Sequence, residues 1–167
     1  IMKKHILLST AIFSFLLLSV PACKKEKAPA PKTKTELISS SPWVFQSASA
    51  SGTDISNNAA LACVKDNSLT FAAAGTGSVA EGTIVCSPTT AGNFTWSFQN
   101  TETTLSLSAG LLPGGNGTFN LVSVDATNLV ISQNVTIPPS VTPILVVFTF
   151  SINFFHAKKF PADTADL

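Results

Sequence analysis

A two-residue alternation of apolar and small polar side chains constrains the fold of this chain more than any other feature. In the segment 94–98, Phe94, Trp96 and Phe98 alternate with Thr and Ser. Because successive side chains of a β-strand point to opposite faces, this period of two predicts strands with one buried face. Clusters of Gly, Asn and Pro interrupt the alternation at short intervals, which is typical of turns between antiparallel strands.

Eight segments follow this pattern from Leu37 onward, and the turn at 113–117 (Pro-Gly-Gly-Asn-Gly) is the clearest of the interruptions. The predicted strands contain Trp43 and Phe45; Leu69 and Phe71; Val79, Glu81 and Thr83; Phe94, Trp96 and Phe98; Leu105 and Leu107; Phe119, Leu121 and Ser123; Leu129, Ile131 and Gln133; and Ile144, Val146, Phe148 and Phe150. Only residues 57–63 are compatible with a helical turn. We therefore predict an all-β fold of eight antiparallel strands, either an up-and-down barrel or a sandwich.

Charged residues are scarce, at 11% of the chain against roughly 25% in typical soluble domains. There is no Arg, and Lys65 is the only base between Leu37 and Ala157. The carboxylates of this segment are Asp54, Asp66, Glu81, Glu102 and Asp125, so its net charge is one minus five, or −4. Such a surface cannot neutralise a row of phosphates, which excludes nucleic acid as a partner. Without Arg, a bidentate clamp for a carboxylate or phosphate is also absent.

The amino terminus combines a short basic segment with an apolar run that ends close to a cysteine. Lys3 and Lys4 precede an apolar run from Ile6 to Val20, which as a helix would span about 22 Å, less than the hydrocarbon core of a bilayer. The run ends in Ser19-Val20-Pro21-Ala22-Cys23, which resembles a lipobox. The resemblance implies that residues 1–22 are a cleaved signal peptide and that Cys23 carries acyl chains such as palmitate. A plain secretory signal followed by an unmodified Cys is the alternative.

These features predict a membrane-anchored lipoprotein of the cell envelope, on the periplasmic or cell-surface face of the outer membrane. Residues 23–36 are rich in Lys and Pro and have nothing to bury, so we expect a disordered tether between membrane and domain. The barrel is predicted over residues 37–151, and residues 152–167 form a C-terminal tail.

The two remaining cysteines, Cys63 and Cys86, form an even pair once Cys23 is lipidated. Export to an oxidising compartment favours a disulfide between them. It would close a loop of about 24 residues and stabilise the fold by roughly 3 kcal/mol. A zinc site lacks ligands, because the two His, His5 and His156, lie at opposite ends of the chain. We therefore predict a disulfide and no metal or other cofactor.

A series of short motifs accompanies the predicted strands in a recognisable order. The motifs are Leu37 with Trp43, Cys63-Val64-Lys65-Asp66-Asn67-Ser68-Leu69-Thr70-Phe71, Gly75-Thr76-Gly77, Glu81-Gly82 with Cys86, Trp96-Ser97-Phe98, Leu105-Ser106-Leu107 and Leu129-Val130-Ile131. Together they resemble the lipocalin-like domain of small envelope lipoproteins of Gram-negative bacteria, over residues 37–150. The resemblance implies an eight-stranded barrel that is closed or nearly closed, and it implies little about a ligand.

Residues for catalysis are sparse. No His lies between residues 6 and 155, so a Ser-His-Asp arrangement is not expected. Asp66 and Glu81 could face each other as a glycosidase pair, but we interpret them as solvated turn and strand residues. We therefore predict that the protein is not an enzyme.

The aromatic residues are the remaining candidates for a site. A cup for a small apolar ligand is predicted from Trp43, Phe45, Phe71, Phe94, Trp96 and Phe98, since barrels of eight strands can hold one small molecule. The alternative is that these side chains fill a solid core. The predicted function is accordingly a non-catalytic binding module for a small apolar ligand, or else a structural or protein-interaction lipoprotein with a packed barrel.

Overall fold

A computed structural model describes residues 30–40, 42–112, 115–137 and 141–152. The predicted signal peptide, the lipidation site Cys23, the tether up to residue 29 and the tail from residue 153 lie outside the described residues. The described elements are helix α1 (Lys34–Ile38), a 3-10 helix (Ala59–Val64) and strands β1 (Trp43–Ala50), β2 (Thr53–Asp54), β3 (Ser68–Ala72), β4 (Thr76–Ala80), β5 (Gly92–Gln99), β6 (Thr104–Leu107), β7 (Thr118–Val124), β8 (Asn128–Val135) and β9 (Ile144–Ile152).

The nine strands of the described residues form one antiparallel sheet that closes into a ring. Their order is β2-β1-β3-β4-β5-β6-β7-β8-β9, and β9 returns to pair with β1 from Trp43↔Ile152 to Ala50↔Val146. The predicted all-β class is confirmed. The strand count is nine rather than eight, because the sequence pattern missed β2. This strand has two residues, both exposed, so it has no apolar alternation, and it pairs only with β1.

Inward-facing rows of side chains explain why the strands hold their register. Phe71 of β3 is paired with Gly77 of β4, which is paired in turn with Phe94 of β5. A Cβ atom at Gly77 would collide with the Phe94 ring and with the carbonyl oxygen of Thr70, so only glycine fits between these two buried phenylalanines. The predicted alternation is thereby confirmed at the point where the large rings meet.

Helix α1 differs from the prediction, which placed no helix here and ended the disordered tether at residue 36. Thr33 caps the helix: its backbone N–H donates to the Glu36 carboxylate at 2.7 Å, and its hydroxyl accepts from the Glu36 backbone N–H at 3.2 Å. This reciprocal capping box is a sequence signal for a helix start, so the predicted boundary between residues 36 and 37 falls inside α1. Ile38 is fully buried, and its carbonyl accepts from the Trp43 indole N–H at 2.7 Å.

The antiparallel order places alternate connections at opposite ends of the ring. The β3–β4, β5–β6 and β7–β8 connections share one end, which we name the α1 end because Lys34 of α1 bonds the carbonyl of Glu102 there at 2.9 Å. The β4–β5, β6–β7 and β8–β9 connections share the other end, which we name the mouth. The first described residues of the chain therefore join the ring at the end opposite the mouth.

Candidate ligand site

Four of the six aromatic residues predicted to line a cup pack against one another and form a cluster. The Phe71 ring lies 5.4 Å from the Phe94 ring and 5.5 Å from the Trp96 ring, and Trp96 lies 5.3 Å from Phe98. All three pairs meet edge to face, the geometry that aromatic side chains favour when they pack in a core. Phe71, Phe94 and Trp96 are buried, and Phe98 is partly buried.

The other two predicted lining residues lie in separate surroundings. Phe45 packs against Phe150 of β9 with ring centres 6.2 Å apart, whereas Trp43 is fully buried and bonded to Ile38. The structure therefore brings four of the six aromatic residues into one contact cluster and places the other two elsewhere in the core.

Both indole N–H groups are occupied by backbone carbonyls. The Trp96 N–H donates to the carbonyls of Ala72 at 3.1 Å and Thr76 at 3.0 Å, on either side of the β3–β4 turn, and the Trp43 N–H donates to Ile38. A ligand among these rings would find no free indole donor. The contacts around these residues match the alternative stated from the sequence, in which the aromatic side chains fill a solid core.

A cavity of about 450 Å³ lies at the mouth, and we name it the mouth pocket. Its lining comes from the 3-10 helix, the three mouth connections and the end of β8, and consists of Ala59, Ala60, Leu61, Cys63, Ser87, Leu112, Val135, Thr136 and Ile137. Leu61, Leu112 and Ile137 are buried and supply an aliphatic floor. Among the residues that the structure describes, no charged residue and none of the six predicted aromatics is in this lining.

The predicted disulfide is confirmed and joins two walls of this pocket. Cys63 and Cys86 are bonded, with their Cα atoms 5.0 Å apart. Cys63 lines the pocket from the 3-10 helix, and Ser87 lines it directly after Cys86. The bond therefore fixes the position of the β4–β5 connection relative to the 3-10 helix.

Glu81 holds the β4–β5 connection from within. One carboxylate oxygen accepts from the backbone N–H of Thr90 at 2.7 Å, the Thr90 hydroxyl at 2.9 Å and the Cys86 N–H at 3.4 Å. The other oxygen accepts from the Thr89 hydroxyl at 2.8 Å. These hydrogen bonds, with that from the Thr90 backbone the largest, lower the pKa of Glu81. They also explain why β4 ends at Ala80. The alternation in the sequence predicts instead that this strand continues to Thr83.

Asp66 holds the same connection from the segment before β3. Its carboxylate accepts from the Ile84 backbone N–H at 3.1 Å and from the Thr83 hydroxyl at 3.0 Å, and these bonds, with that from Ile84 the largest, lower its pKa. A glycosidase general acid requires a raised pKa. The surroundings of Asp66 and Glu81 favour the opposite state, so both carboxylates are better described as acceptors that organise the loop.

The lining residues of the mouth pocket carried no signal in the sequence. They come from segments far apart in the chain, and only closure of the ring brings them together. Their spacing has no period, and Ala, Leu, Thr and Ile are common in any fold. The two cysteines were the one sequence feature that pointed to this end of the molecule.

Two other features, a metal-binding cluster and a membrane-spanning helix, are not found among the described residues. Among them, no group of three or more His, Cys, Asp or Glu side chains could hold a metal ion. Within the same residues, no helix has the length and apolar character needed to cross a bilayer.

Comparison with protein-family models, with curated proteins and with solved structures found no match to this chain. Functional proposals for it therefore depend on the sequence motifs and on the geometry described above.

Proposed function

We propose that this protein is a lipid-anchored lipoprotein of the outer membrane whose lipocalin-like barrel acts as a non-catalytic binding module for a small apolar ligand. The mouth pocket is the observation that carries the ligand proposal. Its volume of about 450 Å³ falls within the range of roughly 300–1,000 Å³ found for small-molecule sites, which are also mostly apolar. An aliphatic floor with a few hydroxyls at the rim has this character.

The lipocalin-like barrel is supported by the up-and-down strand order and by the β1–β9 pairing. The strands of the ring other than β2 correspond one by one to the eight segments in which apolar and polar side chains alternate in the sequence. In this proposal β2 is a short addition to β1, at the side of a closed eight-stranded barrel.

The anchor proposal depends on the lipobox around Cys23. An acyl chain attached there would hold the ring through its α1 end, because the chain enters the ring at α1. The test is metabolic labelling with radioactive palmitate in a Gram-negative host, followed by membrane fractionation. We expect labelled protein in the outer membrane, and loss of both label and membrane retention in Cys23→Ser. Label that persists in Cys23→Ser would refute the anchor.

Native mass spectrometry of protein extracted from its own envelope tests the ligand proposal. We expect an additional apolar molecule bound to the wild-type chain. Ala60→Trp should abolish it, because the exposed Ala60 lines the mouth pocket and an indole there would fill it. Ala62→Trp is the matched control, since Ala62 is an exposed residue of the same 3-10 helix outside the pocket lining. A bare wild-type chain, or equal occupancy in the two variants, would contradict the proposal.

A structural or protein-interaction lipoprotein is the second candidate, and one observation favours it. Ile84 and Val85 are 51% and 66% exposed, although the loop that carries them is fixed by Asp66, Glu81 and the disulfide. A rigid loop with an aliphatic tip is preorganised for contact with another protein. A photo-reactive amino acid at position 85 should then cross-link one defined envelope protein, and its absence under all growth conditions would oppose this function.

A further inference from the structure

The described residues that line the mouth pocket offer no positive charge to a ligand. Its side-chain polar groups are the hydroxyls of Ser87 and Thr136, and the rest of the lining is aliphatic apart from the disulfide sulfur of Cys63. A hydroxyl can donate one hydrogen bond to an anion but cannot neutralise it. An anionic head group in this pocket would therefore lose its hydration without gaining an ion pair, which is unfavourable.

The described residues contain three lysines, Lys32, Lys34 and Lys65, and none of them is part of the pocket lining. Lys65 follows the 3-10 helix directly, and its ammonium donates to the Asn57 side-chain oxygen at 2.9 Å. Lys34 lies at the α1 end, where its ammonium bonds the Glu102 carbonyl at 2.9 Å and is 3.8 Å from the Glu102 carboxylate.

The carboxylates near the mouth add repulsion. Asp66 and Glu81 hold the connection that contributes Ser87 to the pocket, and the hydrogen bonds they accept keep their pKa values below the ordinary range, so both are ionised at neutral pH. The segment from Leu37 to Ala157 carries a net charge of one minus five, or −4. Lys65, the chain neighbour of Asp66, offsets one of these two charges, and the remaining negative charge disfavours an approaching anion.

From these observations we infer that the mouth pocket selects neutral apolar molecules and rejects anionic amphiphiles of similar size, including fatty-acid carboxylates. This inference rests on the proposed function, because it assigns the chemical class of the ligand to the same pocket. The pocket rejects anions because its described lining carries no positive charge and because the carboxylates of Asp66 and Glu81 are fixed nearby. The shape of the cavity does not contribute to this selection.

Two fluorescent probes that differ by one charged group test the inference. N-phenyl-1-naphthylamine is neutral, and 1-anilinonaphthalene-8-sulfonate has the same ring skeleton with a sulfonate added. Both are titrated into the full chain carrying Cys23→Ser, so that no acyl chain is attached. We expect saturable binding of the neutral probe, sensitive to Ala60→Trp and not to Ala62→Trp, and binding of the sulfonate at least about tenfold weaker.

A charge placed at the rim should reverse the selection. Ala60→Lys adds an ammonium to the pocket lining and is expected to raise the affinity for the sulfonate by about tenfold, while the neutral probe changes little. Ala62→Lys adds the same charge to the same helix outside the lining and should leave the preference unchanged.

The possible results separate the inference from the proposed function. Equal binding of both probes to the wild-type pocket, or rejection of the sulfonate that Ala60→Lys does not relieve, would overturn the selection while leaving a ligand site in place. Absence of any binding sensitive to Ala60→Trp would remove the ligand site itself, and the inference with it.

Discussion

Removal of the Cys63–Cys86 disulfide is the perturbation with the most direct structural consequence. The bond connects the 3-10 helix with the β4–β5 connection, and both contribute to the mouth pocket. The core aromatic cluster of β3 and β5 does not include either cysteine. Replacing both cysteines with Ala should therefore destabilise the fold mainly by removing a constraint on the unfolded chain, with a smaller loss of the contacts that the buried Cys86 makes in the core.

The size of the effect follows from the loop that the bond closes. A sequence separation of 23 residues gives a closed loop of 24 residues, for which the chain-entropy model predicts a loss of about 3.4 kcal/mol in the free energy of unfolding at 25 °C. With an m-value of about 1.5 kcal/mol per molar urea for a domain of this size, the unfolding midpoint should fall by about 2 M urea.

Equilibrium urea unfolding, followed by the fluorescence of the buried Trp43 and Trp96, measures this change. The full chain carrying Cys23→Ser is the reference, so that Cys63 and Cys86 are the only cysteines in it. The reference chain treated with a reducing agent is the control, and its midpoint should coincide with that of the Cys63→Ala/Cys86→Ala variant. A variant with the same m-value that loses less than about 1 kcal/mol would refute the reasoning, because the loop would then be restrained by something other than the disulfide.

Three further changes test the contacts of the core and of the β4–β5 connection. Gly77→Ala should lower the free energy of unfolding by about 1–3 kcal/mol, since the new methyl group meets the Phe94 ring; an unchanged urea midpoint would contradict the tight fit. Trp43→Phe should cost about 1–3 kcal/mol in the same assay, because the buried Ile38 carbonyl loses its donor, and a smaller loss would imply that another donor replaces the indole. The pKa of Glu81 is lower in the folded chain than in the unfolded one, so its contribution to stability is complete above about pH 4.3 and is lost as the pH falls through the folded pKa. Glu81→Gln should therefore flatten the acid side of the curve of urea midpoint against pH, and a variant curve parallel to that of the wild type would contradict the assignment.

The strands were predictable from sequence where large side chains alternate with small polar ones. Phe94, Trp96 and Phe98 have this pattern, and each is at least partly buried on one face of β5. β2 was not predictable, because two exposed residues carry no apolar period. Helix α1 was missed although Thr33 and Glu36 form a capping box, since five residues are too few for a helical period of apolar positions. The positions of such short elements are determined by hydrogen bonds and tertiary contacts, and the periodicity of the sequence does not predict these.

The site that the sequence predicts and the site that we propose from the structure lie in different places. Aromatic residues are large and conspicuous, so they were natural candidates for a ligand cup, yet Phe71, Phe94 and Trp96 bury their surface against one another. In a small ring, side chains of this size fill the interior. The mouth pocket, of about 450 Å³, lies where chain connections meet, and those segments have small side chains and no period. A second cavity of about 550 Å³ lies over β3, β4 and β5 and has Phe94 in its lining.

This division of roles has a consequence for how binding responds to redox conditions. The core cluster depends on packing inside the ring, whereas the walls of the mouth pocket depend on Glu81, Asp66 and the disulfide. Reduction of the disulfide removes a constraint on the pocket walls and leaves the aromatic contacts intact. Binding of the neutral probe should therefore weaken under reducing conditions at urea concentrations where Trp fluorescence still reports a folded core. If binding and core fluorescence were instead lost together in a single transition, the pocket and the core would form one cooperative unit. The walls of the mouth pocket could then not loosen while the ring stays folded.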